Sequence, residues 1–535
     1  MLVNVLRYVF TIKDLKFRQL VYFFLFFFKK NFFLFTGLNH PIKQNKKKNK
    51  PFFLKKHYSF NYANKTFTFG GITRKINTNK WLYRSPNLLW EYNLFYFNFL
   101  LSDKFLKNES ESFTLLHNWI NFSKKKSSHV MWDSYPTSLR LINIIKLCIT
   151  HGVVTHEIYE SIFNHTNHIK KNLEYRLDAN HLLTNLIAID CGNKFLGFQD
   201  STTKKFEKLL DDELNIQFKC DFHYELTPSY HNLLTEQVID SISIKKYLNF
   251  KVDKKKLHFL EKLLRNSKYV SHPDNFPAFF NDTNFDSLNY KNLQKLFLKN
   301  FKKKINHQFQ INPKYFFVLK NKKVHLISKC CGPSPIFNPG HSHADSLSFE
   351  LSFGKDRFLI NKGISTYTDR KQRINERSTK SHNCLAINNE NTSDVWSLFR
   401  IGRKTKILER YYDTKKKIIS GTQKYFIRIF KQVKHKRTWK LLSNKLTISD
   451  FLYKYNSIFT LYFHFSPNAK ISFLNKKKIF FKLNKKKGII DFSNAETIKI
   501  KNSYYYPHFG YKKPIKSIIV KCKGNKNITE IRLTT

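Results

Sequence analysis

Between residues 338 and 354 the chain reads NPGHSHADSLSFELSFG, and His341, His343 and Asp345 fall within it at two-residue spacing. Imidazoles and carboxylates carry protons or hold metals. From Leu347 to Phe353 apolar and polar residues alternate, as in a half-buried strand. On a strand, residues i and i+2 point to one face, so His341 and His343 could share a ligand or an ion. The alternative is a polar edge to a sheet.

Three further stretches interrupt apolar patterns with reactive residues. Asn180-His181 opens a helical run, where Asn is also a favoured N-cap. HYELTPSYH (223–231) sets Tyr230 and His231 at the start of another, where both are ordinary half-buried residues. RSTKSHNCLAIN (377–388) leads Arg377 and His382 into a strand. Each alone is weak, and the four together are not.

The elements that must position them are of two kinds. PTSLRLINIIKLCITHG (136–152), NHLLTNLIAIDCGNKFLG (180–197) and SYHNLLTEQVIDSISIKKYL (229–248) have apolar residues at helical spacing, and the first two stop at Gly152 and Gly197. Such hairpins in succession predict an α-solenoid or an α/α toroid. After about residue 310, runs such as YFFVLK, SLSFELSF, RFLIN, NCLAIN, IKSIIVKC and TEIRLTT predict a large antiparallel β-sandwich. The fold class is multidomain α+β. Its parts are an apolar, basic lead-in and linker over 1–75, a helical part, solenoid or toroid, over 76–308 and a sandwich over 309–535.

With 95 basic and 38 acidic residues the formal net charge is +57, which draws polyanions: nucleic acid, anionic lipid or acidic polysaccharide. The lysines lie in short runs along the whole chain, and a Lys, Asn, Ile, Phe and Tyr bias is also what AT-rich codons produce. No nucleic-acid recognition motif accompanies the charge, so no specific nucleic-acid partner is expected. Seven irregularly spaced cysteines without C-x-x-C exclude a disulfide framework and a cysteine zinc module. LVYFFLFFF (20–28) is too short to span a bilayer, which needs about 20 apolar residues. It reads as a membrane-surface or buried helix, which leaves peripheral membrane association open.

The order and wording of these motifs resemble the heparinase II/III family of polysaccharide lyases. The resemblance runs from LWEYNLFYFNFL (89–100) through WDSYPTSLRLINIIK (132–146), ANHLLTNLIAI (179–189), HYELTPSYH and GHSHADSLSFELSFG (340–354). It ends in NERSTKSHNCLAINNENTSDVWSLFRIGRK (375–404). It implies an incomplete α/α toroid over 76–308 followed by a large antiparallel β-sandwich over 309–535, an active site in the groove between them, and β-elimination of an acidic, uronate-containing glycan. Heparan-like, alginate-like and exopolysaccharide substrates all stay open.

By resemblance Asn180, Tyr230 and His341 are catalytic, with Tyr230 made more acidic by surrounding positive charge. His181, His231, Tyr367, Arg373 and Arg377 are expected at the substrate. His343 and His382 match a structural metal site, zinc in the family. Its aspartate is replaced here by Asn361 in INKG, a poor zinc ligand. Asp345 is a substitute ligand or an orienting group. No organic cofactor is expected. The resemblance favours the periplasm or cell envelope, and the lack of a clean export signal keeps the cytoplasm as the alternative. A non-catalytic acidic-glycan-binding or envelope polysaccharide assembly protein is the other functional reading.

Overall fold

The computed structural model describes residues 2–28, 35–36, 49–56, 59–81, 85, 87–124, 129–306, 311–427 and 431–534. The linker expected at 40–51 lies, up to residue 48, outside them.

The three expected helices run Ser134–His151, Ala179–Leu196 and Pro228–Tyr247. Gly152 and Gly197 close the first two in the left-handed region, at φ 78° each, where a Cβ is costly. Pro228 sits in the first turn of the third, where a missing N–H is harmless. Ala179–Leu196 and Pro228–Tyr247 are buried around most of their circumference and form an inner layer. Ser201–Gln217 and Lys254–Tyr269 keep a Lys-rich face in water and form the outer one. With His156–Lys171 and Tyr290–Phe301 these helices make the incomplete toroid. Trp81, Trp90, Trp119 and Trp132 lie in its core.

From Phe316 onward the chain is a β-sandwich. An antiparallel eight-stranded sheet runs in the spatial order Ala469–Phe473, Lys478–Leu483, Lys486–Phe492, Lys526–Leu533, Lys445–Tyr453, Gln432–Leu441, Ile418–Phe426 and Lys406–Asp413. One four-stranded sheet contains Ala495–Tyr505, Lys513–Gly524, Ser457–His464 and Leu385–Ile387. The other contains Phe316–Lys320, Val324–Lys329, Phe349–Phe353 and Asp356–Leu359. Burial alternates residue by residue along Lys445–Tyr453, as a sheet with one face on a core requires.

One expectation is corrected here. The strand expected from Leu347 begins at Phe349, and residues 341–348 are turn, with Leu347 at φ +58°. The pleat therefore does not align His341 with His343.

The N-terminal residues contribute more than a lead-in. Helix Leu2–Ile12 packs on the sandwich domain through Tyr8 and Trp396 (ring centroids 4.9 Å apart), and the turn after it does so through Asp14 and Lys404 (2.7 Å). Helix Phe17–Phe28 packs on the toroid through Tyr22 and Tyr175 (4.8 Å), while Lys16 and Arg18 each reach Asp178 at 3.0 Å. A small sheet, Ser59–Asn61, Thr66–Phe69 and Ile72–Lys75, turns at Gly70 against the 509–511 loop. A Cβ at Gly510 would overlap the Gly70 carbonyl, so this contact needs glycine. The two domains are thus tied together at two places.

Candidate active site

A cleft of about 1770 Å³ lies between the domains, and Asn180, His181, Tyr230, His341 and Tyr367 all line it. Asn180 is in the first turn of its helix, and the N-cap is Asp178, whose side chain accepts from the Ala179 N–H. Asp178 and Ala179 both have positive φ (59° and 51°), a strained entry fixed from outside by Lys16 and Arg18. Asn180 Nδ2 donates to Glu225 Oε1 (2.8 Å), and its backbone N–H reaches the same oxygen (3.3 Å). One amide hydrogen and Oδ1, which has no partner among the described residues, are left for a ligand. Next to it, His181 stacks beside Tyr135 (4.4 Å) and contacts Glu174 (3.3 Å).

Tyr230 packs against the His341 ring at 4.1 Å, and its hydroxyl is 3.2 Å from that of Tyr367. Burial first, then Tyr367, Tyr135 and the Asp282 charge, push its pKa well above 10. The expected lowering by positive charge is reversed. The charge near this phenol is a carboxylate, and Arg373 is spent on neutralising it.

Asp282 organises the site. Arg373 grips it with both terminal nitrogens (2.5 and 2.6 Å), His341 Nδ1 meets Oδ2 at 2.8 Å, and His343 Nε2 meets Oδ1 at 2.7 Å. Burial raises its pKa, but the guanidinium and the two histidine hydrogen bonds outweigh that and hold it well below the carboxylate range. An ionised carboxylate only accepts, so His341 must donate from Nδ1, leaving Nε2 bare. The two histidines of the motif do share a partner, as their spacing suggested. That partner is Asp282, a carboxylate from the toroid side.

Three residues expected at the substrate are enclosed instead. His231 is fully buried, stacked on Phe222 (4.2 Å, 3°) with Nε2 on the Leu263 carbonyl (2.9 Å), and burial lowers its pKa to about 4. Arg373 is occupied by Asp282. Arg377 is fully buried and donates to the carbonyls of Pro339, Ser342, Ser397 and Leu398, tying the loop of His341 to that of Phe399. Neither arginine can reach a substrate anion. Both position groups that can.

At the expected metal site, His382 donates from Nδ1 to the Ser378 carbonyl (2.8 Å) and His343 donates from Nε2 to Asp282. Burial lowers both pKa values, that of His343 to about 3. The bare nitrogens of the neutral rings, His343 Nδ1 and His382 Nε2, then face each other at 3.0 Å. That pair alone would suit a cation. The rest of the set does not fit zinc, which takes thiolate, imidazole and carboxylate ligands. Asn361 Oδ1 accepts from the Asn383 N–H (3.2 Å), and Asp345 is closed by the Lys329 ammonium, which also bonds Asn281 Oδ1 (2.6 Å). Among the described residues no three His, Cys, Asp or Glu side chains converge on a metal position.

Asp282 and Glu225 were not singled out from the sequence. Asp282 lies in NDTN, which reads as a turn, and Glu225 lies inside HYELTPSYH. The available signal was an acidic residue within a motif of a chain so short of acids.

Comparison with known proteins agrees with this architecture. The model of the heparinase II/III N-terminus matches residues 109–309, and that of the heparinase II/III-like C-terminal region matches 314–534. No curated protein sequence matches the chain. Among solved structures, one of heparinase III is similar at a TM-score of 0.67 and 14% identity, covering 85% of this chain and 79% of that one. Heparan sulfate lyase from Pedobacter heparinus gives 0.58 and 13%, covering 88% and 81%. Chondroitin AC lyase from Streptomyces coelicolor A3 gives 0.50 and 6%, covering 83% and 75%. At such identities the likeness is one of fold. With both halves matched by the family's own models, this chain belongs to the heparinase II/III family of polysaccharide lyases.

Proposed function

We propose that the protein cleaves an acidic, uronate-containing glycan by β-elimination in the interdomain cleft. The observation that carries this is the Asp282–His341–Tyr230 contact: an imidazole with a bare Nε2 packed on a protonated phenol, beside a buried amide with hydrogen-bonding capacity to spare.

The C5 hydrogen of a uronate is hard to remove because the adjoining carboxylate is already negative. The free Asn180 amide hydrogen, assisted by His181, binds that carboxylate and takes up the charge that grows on it, the logic of an oxyanion hole. His341 Nε2 removes the C5 proton. The electron pair forms the C4–C5 double bond as the C4–O bond breaks, and Tyr230 gives its proton to the departing oxygen. Tyr230 suits the acid role because it is protonated at rest, and His341 suits the base role because Asp282 fixes its tautomer. Tyr367, beside Tyr230, holds the phenol in place. No step uses a metal.

The names of the similar structures, heparan sulfate lyase and chondroitin AC lyase, point to glycosaminoglycan-like polymers as the first to try. We place the protein at the cell envelope. No helix among the described residues is long and apolar enough to cross a membrane. Val5, Tyr8, Val9 and Ile12, and Phe17, Val21, Phe24 and Leu25, leave exposed apolar stripes on the two N-terminal helices, which support peripheral contact with lipid.

The test is incubation with a panel of uronic polymers while following absorbance of the new double bond. Signal from at least one polymer, lost in both Tyr230→Phe and His341→Ala, is the expected result. Silence on every polymer, or full activity in Tyr230→Phe, would overturn the proposal.

A further inference from the structure

The N-terminal hairpin reaches the chemistry through one carboxylate. Asp178, two residues before Asn180, is fully buried and has φ 59° and ψ −154°, a conformation almost confined to glycine. Ala179 follows it in the left-handed region, at φ 51°. Two such residues in succession cost free energy that the surroundings must offset. The hairpin supplies most of what does so. Lys16 Nζ and Arg18 Nη2 each lie 3.0 Å from Asp178 Oδ2, while Oδ1 accepts from the Ala179 N–H (2.7 Å). Arg18 also reaches Glu213 (3.6 Å). Glu213 accepts from Gln217 Nε2 (3.0 Å), and the same nitrogen donates to the Ala179 carbonyl (3.1 Å).

We propose that Lys16 and Arg18 are positioning residues for the elimination, which lock the strained turn at Asp178 and Ala179 and so hold the Asn180 amide in place relative to His341. This deepens the lyase reading and rests on it for the role of Asn180.

Three observations converge. Charge is the first. Burial raises the Asp178 pKa, but Lys16, the Ala179 N–H and Arg18 outweigh it and hold the carboxyl below its ordinary value. A buried carboxylate without its cations is costly, so the turn would relax to reach water. The second is the lack of an equal substitute. Among the described residues, the further side chain on Asp178 is Tyr224, whose hydroxyl is 3.4 Å away, a long hydrogen bond. The third is position. Lys16 Nζ also lies 3.8 Å from the centroid of the Phe337 ring, and Asn338 Nδ2 donates to the Leu177 carbonyl (2.6 Å). Phe337 and Asn338 lead into His341 as Leu177 and Asp178 lead into Asn180. Lys16 therefore stands at the seam between the two segments that carry amide and imidazole. A clamp that merely joined the domains would alter stability alone. One that positions Asn180 alters kcat, because the amide meets the growing charge in the transition state.

The test compares the full chain with Lys16→Gln, Arg18→Gln, the two combined, and the charge-keeping pair Lys16→Arg with Arg18→Lys. Both side chains are about a third exposed (37% and 34%), so the single variants keep the cores intact. The readouts are kcat and KM on a uronic polymer that the full chain cleaves, and amide hydrogen exchange over residues 177–183. In the combined Gln variant kcat should fall about 10²-fold, as for a small misplacement of a reacting group, with KM little changed. Exchange over 177–183 should quicken while that over Ser134–His151 stays as it was. Each single Gln variant should show the same effects to a smaller degree, and the charge-keeping pair should retain most of kcat. Unchanged exchange over 177–183, or a raised KM at constant kcat, would overturn the clamp. Quickened exchange in a chain that cleaves no uronic polymer would support the hold on Asn180 and refute the lyase reading alone.

Discussion

A carboxylate that accepts from two arginine nitrogens and two histidines at once has no lone pair left for a substrate. Asp282 therefore acts through His341. Asp282→Asn would strip the Arg373 guanidinium of its counter-charge and no longer dictate which His341 nitrogen carries the proton. We expect a loss of about 3–5 kcal/mol in stability, as for other buried pairs broken on one side, and a fall in kcat of about 10²-fold or more. Chemical denaturation and steady-state rates on the same preparation check both. The pH profile carries a second prediction. A raised Tyr230 pKa keeps the phenol protonated as pH rises, so the alkaline limb of kcat/KM should lie above the ordinary tyrosine value of about 10. A decline centred near pH 8 or 9 would mean that the phenol is more acidic than its surroundings allow. At this scale the sequence named Asn180, Tyr230 and His341, which the fold brings to one cleft, and misjudged the environment of the phenol. Residue types can be read from one chain, whereas the sign of a pKa shift depends on which charges fold next to the group.

The elements that carry these residues were legible wherever a period or a breaker marked them. Helical spacing and the terminal glycines located Ser134–His151 and Ala179–Leu196 to within two residues at either end. Gly197 has φ +78° and open space around its missing Cβ, so Gly197→Ala isolates the backbone cost of the left-handed cap. That change should destabilise the protein by about 1 kcal/mol and leave turnover intact, as thermal unfolding beside an activity assay would show. The stretch before Phe349 was not legible. Alternation continues through HSHADSLSF, but turns obey local hydrogen bonding rather than a two-residue period, and Leu347 with positive φ breaks the strand there. His231 and Arg377 were misplaced for a related reason. A polar residue in a motif is as often there to tie down backbone carbonyls as to meet a ligand.

Across the whole molecule, two domains of different class meet at the cleft, and the switch from helical to strand periods announced both. How they are joined was hidden, because the N-terminal hairpin is recognisable only by what it touches: Trp396 and Lys404 on one side, Tyr175 and Asp178 on the other. A formal charge of +57 also acts at this scale. Raising ionic strength from about 0.01 to about 0.15 M shortens the screening length from about 30 to about 8 Å, so kcat/KM on a polyanion should fall steeply while kcat changes little. Amide, phenol and imidazole are proposed to act on one sugar by elimination. The most direct measurement is the mass of the two products from a defined uronate oligosaccharide. Elimination predicts that their masses sum to that of the parent and that one fragment ends in an unsaturated uronate, while Tyr230→Phe leaves the parent intact. Products that together weigh one water more than the parent would contradict it.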